Sequence, residues 1–147
     1  MLSKPDNGWV LVTVGDFRTE ASYLADLPFD WLRSCIHSLR FNLPLSLFIE
    51  EEGTVCYINA YYSVTHIICE DSDFSAVVHT VRDMDMLDLT YQIICDIRAE
   101  FEDWVSWYDF EQGEAHFARR RTELAVLLDE AEQLLREKAK LMHKSFK

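Results

Sequence analysis

Residues 73–147 contain no proline and a single glycine, Gly113, and across this stretch the spacing of apolar residues changes from every second position to every third or fourth. A chain that makes this change once segregates its strands from its helices, so an α+β architecture is expected rather than alternating βαβ units. The expected layout is a small antiparallel meander with one N-terminal helix, followed by a C-terminal pair of long helices. Residues 1–147 would form one domain, with sheet plus helix in 1–72 and a helical half in 73–147.

The local signals support that layout. Residues 9–14 (Trp-Val-Leu-Val-Thr-Val) are rich in β-branched side chains and end at Gly15-Asp16, a strand followed by a turn. After a polar connection, Trp31, Leu32, Cys35, Ile36 and Leu39 share one helical face, with Asp30 in the N-cap position and Pro44 closing the segment. Residues 45–50 and 54–60 flank Glu51-Glu52-Gly53, where the glycine can take the positive φ of a short hairpin loop, and 61–70 continues as a third strand.

In the second half, Phe74, Val77, Val78 and Val81 suggest a short helix capped by Ser72 or Asp73. Met86, Thr90, Ile93, Ile94, Ile97, Phe101, Trp104, Val105 and Tyr108 then keep helical spacing throughout, predicting one long helix over 86–112 that ends at Gly113 as a C′ residue. A second long helix over 114–143 carries Phe117, Leu124, Leu127, Ala131, Leu134 and Leu141 on a heptad-like seam. A hairpin about Gly113 is preferred over one continuous helix, which would cost about 1 kcal/mol at the glycine.

Several function classes are disfavoured. The formal net charge of −12 opposes direct binding to nucleic acid or anionic lipid and favours a protein partner with a basic surface. No apolar run is long enough to span a membrane and residues 1–8 show no signal-peptide core, so a cytoplasmic location is expected. Cys35, Cys56, Cys69 and Cys95 form no CxxC pair and read as reduced core residues. The four glycines are scattered, His66 and Cys69 lie three apart in a strand and point to opposite faces, and His79 with Asp83 makes a pair rather than a ligand set. Neither catalysis nor a cofactor or metal is therefore expected.

What remains is charge placed beside aromatics. Residues 83–114 hold ten acids and one base, whereas 115–147 hold five acids and eight bases. On a helical wheel Asp96 and Asp103 share a flank with Asp85, and Trp107 lies on the same flank. The candidate binding residues are accordingly Asp96, Glu102, Asp103, Trp107 and Asp109, an acidic ridge with an indole beside it. The competing account is internal neutralisation: an antiparallel hairpin would set Asp88 opposite Lys138 and Asp85 opposite Lys140 or Lys144, but Asp96 near Glu130.

Residues 30–39 (Asp-Trp-Leu-Arg-Ser-Cys-Ile-His-Ser-Leu) and the strands that follow to residue 70 resemble the helix-then-meander arrangement of some contact-dependent-inhibition immunity proteins, a polymorphic-toxin immunity group; the shared string is Trp31 to Ser34. The resemblance implies an inhibitor that neutralises a toxic effector by protein contact. The alternative expectation is a chaperone or adaptor for a secreted or assembled client, with a homodimer formed through the 117–141 helix seam.

Overall fold

The structure, a computed structural model, describes residues 1–70, 73, 75–107 and 113–146. The fold is α+β, with six antiparallel strands in two sheets and four helices among the described residues. Strands β1 (Trp9–Val14) and β2 (Phe17–Ser22) form a hairpin; helix α1 (Leu27–Phe41) follows; β3 (Leu45–Glu50), β4 (Val55–Ala60), β5 (Thr65–Glu70) and β6 (Ala76–Val81) form a meander in that order. Helices α2 (Met86–Ala99), α3 (Phe101–Val105) and α4 (Glu114–Leu141) complete the fold.

Alternation builds both sheets. In β1, Val10, Val12 and Val14 are buried, and in β3 Leu45, Leu47 and Ile49 are buried while Ser46 and Phe48 are exposed. Gly15, at φ +61°, makes the β1–β2 turn, and a Cβ there would lie 2.8 Å from a Val81 methyl carbon, so a side chain has neither the backbone nor the space. The inner face of the four-stranded sheet joins α1 (Trp31, Leu32, Cys35, Leu39), α2 (Leu89, Ile93, Ile97) and α4 (Leu124, Leu128, Ala131, Leu135) in one contiguous apolar core.

Helix ends are held by side chains as well as by backbone. Asp85 caps α2, accepting from the N–H groups of Leu87 and Asp88, while Asp88 accepts the Asp85 N–H; Lys144, just beyond α4, lies 2.5 Å from Asp85 and 2.7 Å from Asp88. Burial lowers the pKa of that lysine, but the bonds to the two carboxylates outweigh it and leave the net shift upward.

Several expectations are corrected. The polar connection after Gly15 is strand β2, and α1 begins at Leu27 with Asp26, not Asp30, in the N-cap position. Residues 76–81 form strand β6 rather than a short helix, which moves the start of the helical half beyond 73 and puts α1 between two sheets instead of before one. The long helix over 86–112 breaks at Glu100 (φ −116°, ψ 39°), so α2 and the five-residue α3 stand where one long helix was expected. Gly113 takes extended backbone as the N-cap of α4 instead of ending the preceding helix. Finally, Cys56 and Cys69 are disulfide-bonded: β4 and β5 set them directly opposite with Cα atoms 4.1 Å apart, a pairing that a separation of thirteen residues does not disclose. Cys35 and Cys95 are free, one buried and one exposed.

Candidate binding surface

The acidic ridge inferred from residues 96–109 is largely neutralised. Asp96 accepts the Leu2 N–H at 2.6 Å and lies 2.9 Å from the Met1 amine. Lys4 reaches Asp103 at 3.2 Å and Glu100 at 3.9 Å, and its pKa is raised chiefly by the hydrogen bond to Asp103. Arg121 grips Glu102 at 2.6 Å and holds its carboxyl below the usual range. Asp109 lies outside the described residues.

Trp107 requires an outright correction. Its side chain is 1% exposed, and its indole Nε1 donates to the Ala25 carbonyl at 3.1 Å. The wheel that put it on a surface flank assumed an unbroken helix, and the break at Glu100 changes the direction of the side chains from Phe101 to Trp107. Close by, Arg120, itself buried, donates two hydrogen bonds to Asp26 at 2.7 and 2.9 Å, a third to the Val105 carbonyl at 2.8 Å, and stacks over the Phe29 ring at 4.4 Å. The aromatic and acidic stretch therefore ties α1, α3 and α4 together.

Internal pairing also exceeds what helix spacing alone predicted. Arg98 bridges Asp129 at 2.8 Å and Glu132 at 2.6 Å, Arg40 pairs with Glu130, and Lys138 binds Asn42 instead of Asp88. Of the α4 seam, Leu124 and Ala131 are buried against the core and Phe117, Leu127 and Leu134 pack partly on it, while Leu141 is 76% exposed.

The outer face of the four-stranded sheet is different. Its register aligns Phe48, Tyr57, Ile68 and Val78 in one row across all four strands. Phe48, Tyr57 and Val78 are exposed and Ile68 is half-buried, and the Phe48 and Tyr57 rings meet at 5.4 Å. One neighbouring row is Ser46, Asn59, His66 and Thr80, with Tyr61 edge-on to His66. The other row is Glu50, Val55, Glu70 and Ala76, next to Glu51 and Glu52 at the hairpin tip. Glu50, Glu51, Glu52 and Glu70 form no ion pair among the described residues; Glu51 accepts from Thr19 instead. An apolar row bordered on one side by unneutralised carboxylates is thus formed by residues whose alternation was legible but whose alignment depends on register.

A groove of about 180 Å³ runs beside this row, lined by Ala25, Trp31, Ser34, Phe48 and Tyr57. It falls short of the roughly 300 Å³ at which small-molecule sites begin. Among the described residues no three His, Cys, Asp or Glu side chains gather as a metal site, and no helix is long and apolar enough to cross a membrane. In comparisons with known proteins the chain matches no family model, no curated protein and no solved structure.

Proposed function

We propose that this chain is a non-catalytic binding protein of the inhibitor type, which neutralises a protein effector by covering a basic surface on it. The contact surface is the outer face of the β3–β6 sheet rather than the α2–α3 ridge. The observation that carries this reading is the solvent-facing Phe48–Tyr57–Ile68–Val78 row, exposed at all but Ile68, with Glu50, Glu51, Glu52 and Glu70 along one border. Tyrosine and other aromatics are enriched among the few residues that carry most of the affinity at protein interfaces, and unpaired charge at the rim steers a partner of opposite sign. Net charge strengthens the steering, since −12 attracts a cationic surface from a distance of about one Debye length, ~10 Å at 0.1 M salt.

The test is genetic and biochemical together. Deleting the gene in the source cell should impair growth in mixed culture with the parent strain, and suppressors should fall in a single effector gene. A wild-type copy should restore growth, whereas a copy carrying Tyr57→Ala and Glu70→Lys should not, although both proteins fold. A deletion strain that competes equally with its parent, or a growth defect with no effector suppressor, overturns the inhibitor reading.

A further inference from the structure

The two edges of the four-stranded sheet are treated differently. At β3, Trp31 Nε1 donates to the Phe48 carbonyl at 2.9 Å and α1 lies alongside, so an edge acceptor is satisfied within the molecule. At β6 the Phe17 ring packs on His79 at 5.0 Å, but no side chain among the described residues bonds an edge backbone group, and Ala76, Val77, Val78, His79 and Thr80 are all exposed, with Val77 at 54% and Val78 at 59%. Exposed edges are normally blunted by lysine, proline or a bulge. The β6 sequence, Ala-Val-Val-His-Thr-Val, has neither residue and pairs with β5 in unbroken register.

Which β6 groups are free follows from the cysteine pair. A Cα separation of 4.1 Å marks Cys56 and Cys69 as a non-hydrogen-bonded pair, so the Cys69 N–H and C=O point away from β4 toward β6. Cys69 with Val77 and Ile67 with His79 are then hydrogen-bonded pairs, and the backbone groups of Ala76, Val78 and Thr80 face outward. The same alternation turns the Phe48 carbonyl away from β4, where Trp31 is found to meet it.

We propose that β6 is a homodimerisation edge, pairing antiparallel with β6 of a second copy about a two-fold axis at Val78. In this register Ala76 lies opposite the partner's Thr80 and Val78 opposite the partner's Val78, so every outward N–H and C=O of Ala76, Val78 and Thr80 finds a mate. A shift of two residues either way leaves one of the three unpaired. Val77 comes opposite the partner's His79, which covers its exposed face. On the outer surface the two apolar rows meet at the paired Val78 side chains and become one row across eight strands. Charge favours the antiparallel sense: the Glu50–Glu52 and Glu70 end of each sheet lies diagonally away from that of the other copy, and the row holding Glu70 runs on into the partner's Thr80 and His66. The proposal goes beyond the effector-binding reading and is tested with this chain alone.

Sedimentation of the wild-type protein from about 1 µM to about 1 mM covers the range of weak specific association. The mass should rise from 17.3 kDa toward twice that value, and association should tighten with added salt because two like-charged molecules meet. Val78→Lys and Val78→Glu, at an exposed site, should each keep the wild-type circular dichroism and weaken self-association by about tenfold or more, because like charges are forced opposite one another. An equimolar mixture of the two should form a heterodimer. A wild-type protein that remains monomeric throughout, a Val78→Lys protein that associates as strongly as wild type, or a mixture that stays monomeric each overturns the proposal.

Discussion

Replacing Asp26 by alanine removes the carboxylate that faces Arg120, while the bond to the Val105 carbonyl and the stacking on the Phe29 ring stay. Breaking a buried ion pair from one side costs about 3–5 kcal/mol, because the remaining charge loses its counter-ion where water reaches it poorly. Arg120 is 8% exposed at its side chain but Asp26 is 22% exposed, so water reaches part of the vacated site and the lower end, about 3 kcal/mol, is expected. In a domain of this size that corresponds to a fall of roughly 6–12 °C in melting temperature. Arg120→Met alone should cost less, about 2 kcal/mol, since the stranded carboxylate is better hydrated than the stranded guanidinium. The double variant should recover most of the loss, because an apolar replacement of both partners is tolerated where removal of one is not. Urea unfolding followed by tryptophan fluorescence reports the effect directly, since Trp31, Trp104 and Trp107 are all fully buried. A cost below about 1 kcal/mol for Asp26→Ala, or a double variant no more stable than the worse single one, would refute the assignment of this node as a cross-link among three helices.

Three further outcomes are expected. Burial pushes the Cys35 thiol up to about 12, against the opposing pull of a hydrogen bond with Thr90. The unfolded chain therefore ionises first, and between pH 9.0 and about 12 this thiol removes up to about 1.4 kcal/mol of stability per pH unit; Cys35→Ala should flatten that slope, and an identical slope in both proteins would count against it. Removing the disulfide by Cys56→Ala with Cys69→Ala should cost up to about 3 kcal/mol, the closure entropy of a loop this short; equal melting temperatures for oxidised and reduced wild-type protein would mean that the bond contributes nothing. Tyr57→Ala should cost at most about 1 kcal/mol, since the ring stands on the solvent side, whereas Ile58→Ala should cost about 2–5 kcal/mol; comparable losses for the two would show that the sheet faces are misassigned.

Legibility in the sequence followed the strength of the local signal. The β3–β4 hairpin could be read because alternation on both sides meets at Gly53, and α4 because its apolar positions repeat over seven turns without a breaker. Strand β6 is ambiguous in sequence because Val77, Val78 and Val81 fit a helical face as well as a strand over so short a run; β-branched content is the better guide. Strand β2 hides in the mostly polar run Phe-Arg-Thr-Glu-Ala-Ser, where only its half-buried alternation marks it. The break at Glu100 carries neither glycine nor proline, so nothing local announces it, and the placement of Trp107 failed with it. The charge concentrated at Asp96, Glu102 and Asp103 is legible in the sequence, but their partners Met1, Lys4 and Arg121 are brought to them by tertiary structure. The outer-face row was missed for the same reason, since its four members are assembled by register across four strands.

The bond between Cys56 and Cys69 acts on that register. Sliding β5 past β4 by a single position would turn Tyr57 or Ile68 toward the helices and send Ile58 or Ile67 into water, exchanging the molecule's interior for its exterior. A covalent pin in the adjoining row forbids the slide at any temperature short of complete unfolding. Its consequence is therefore directional: while the sulfurs stay joined, the side of this sheet offered to other molecules is settled.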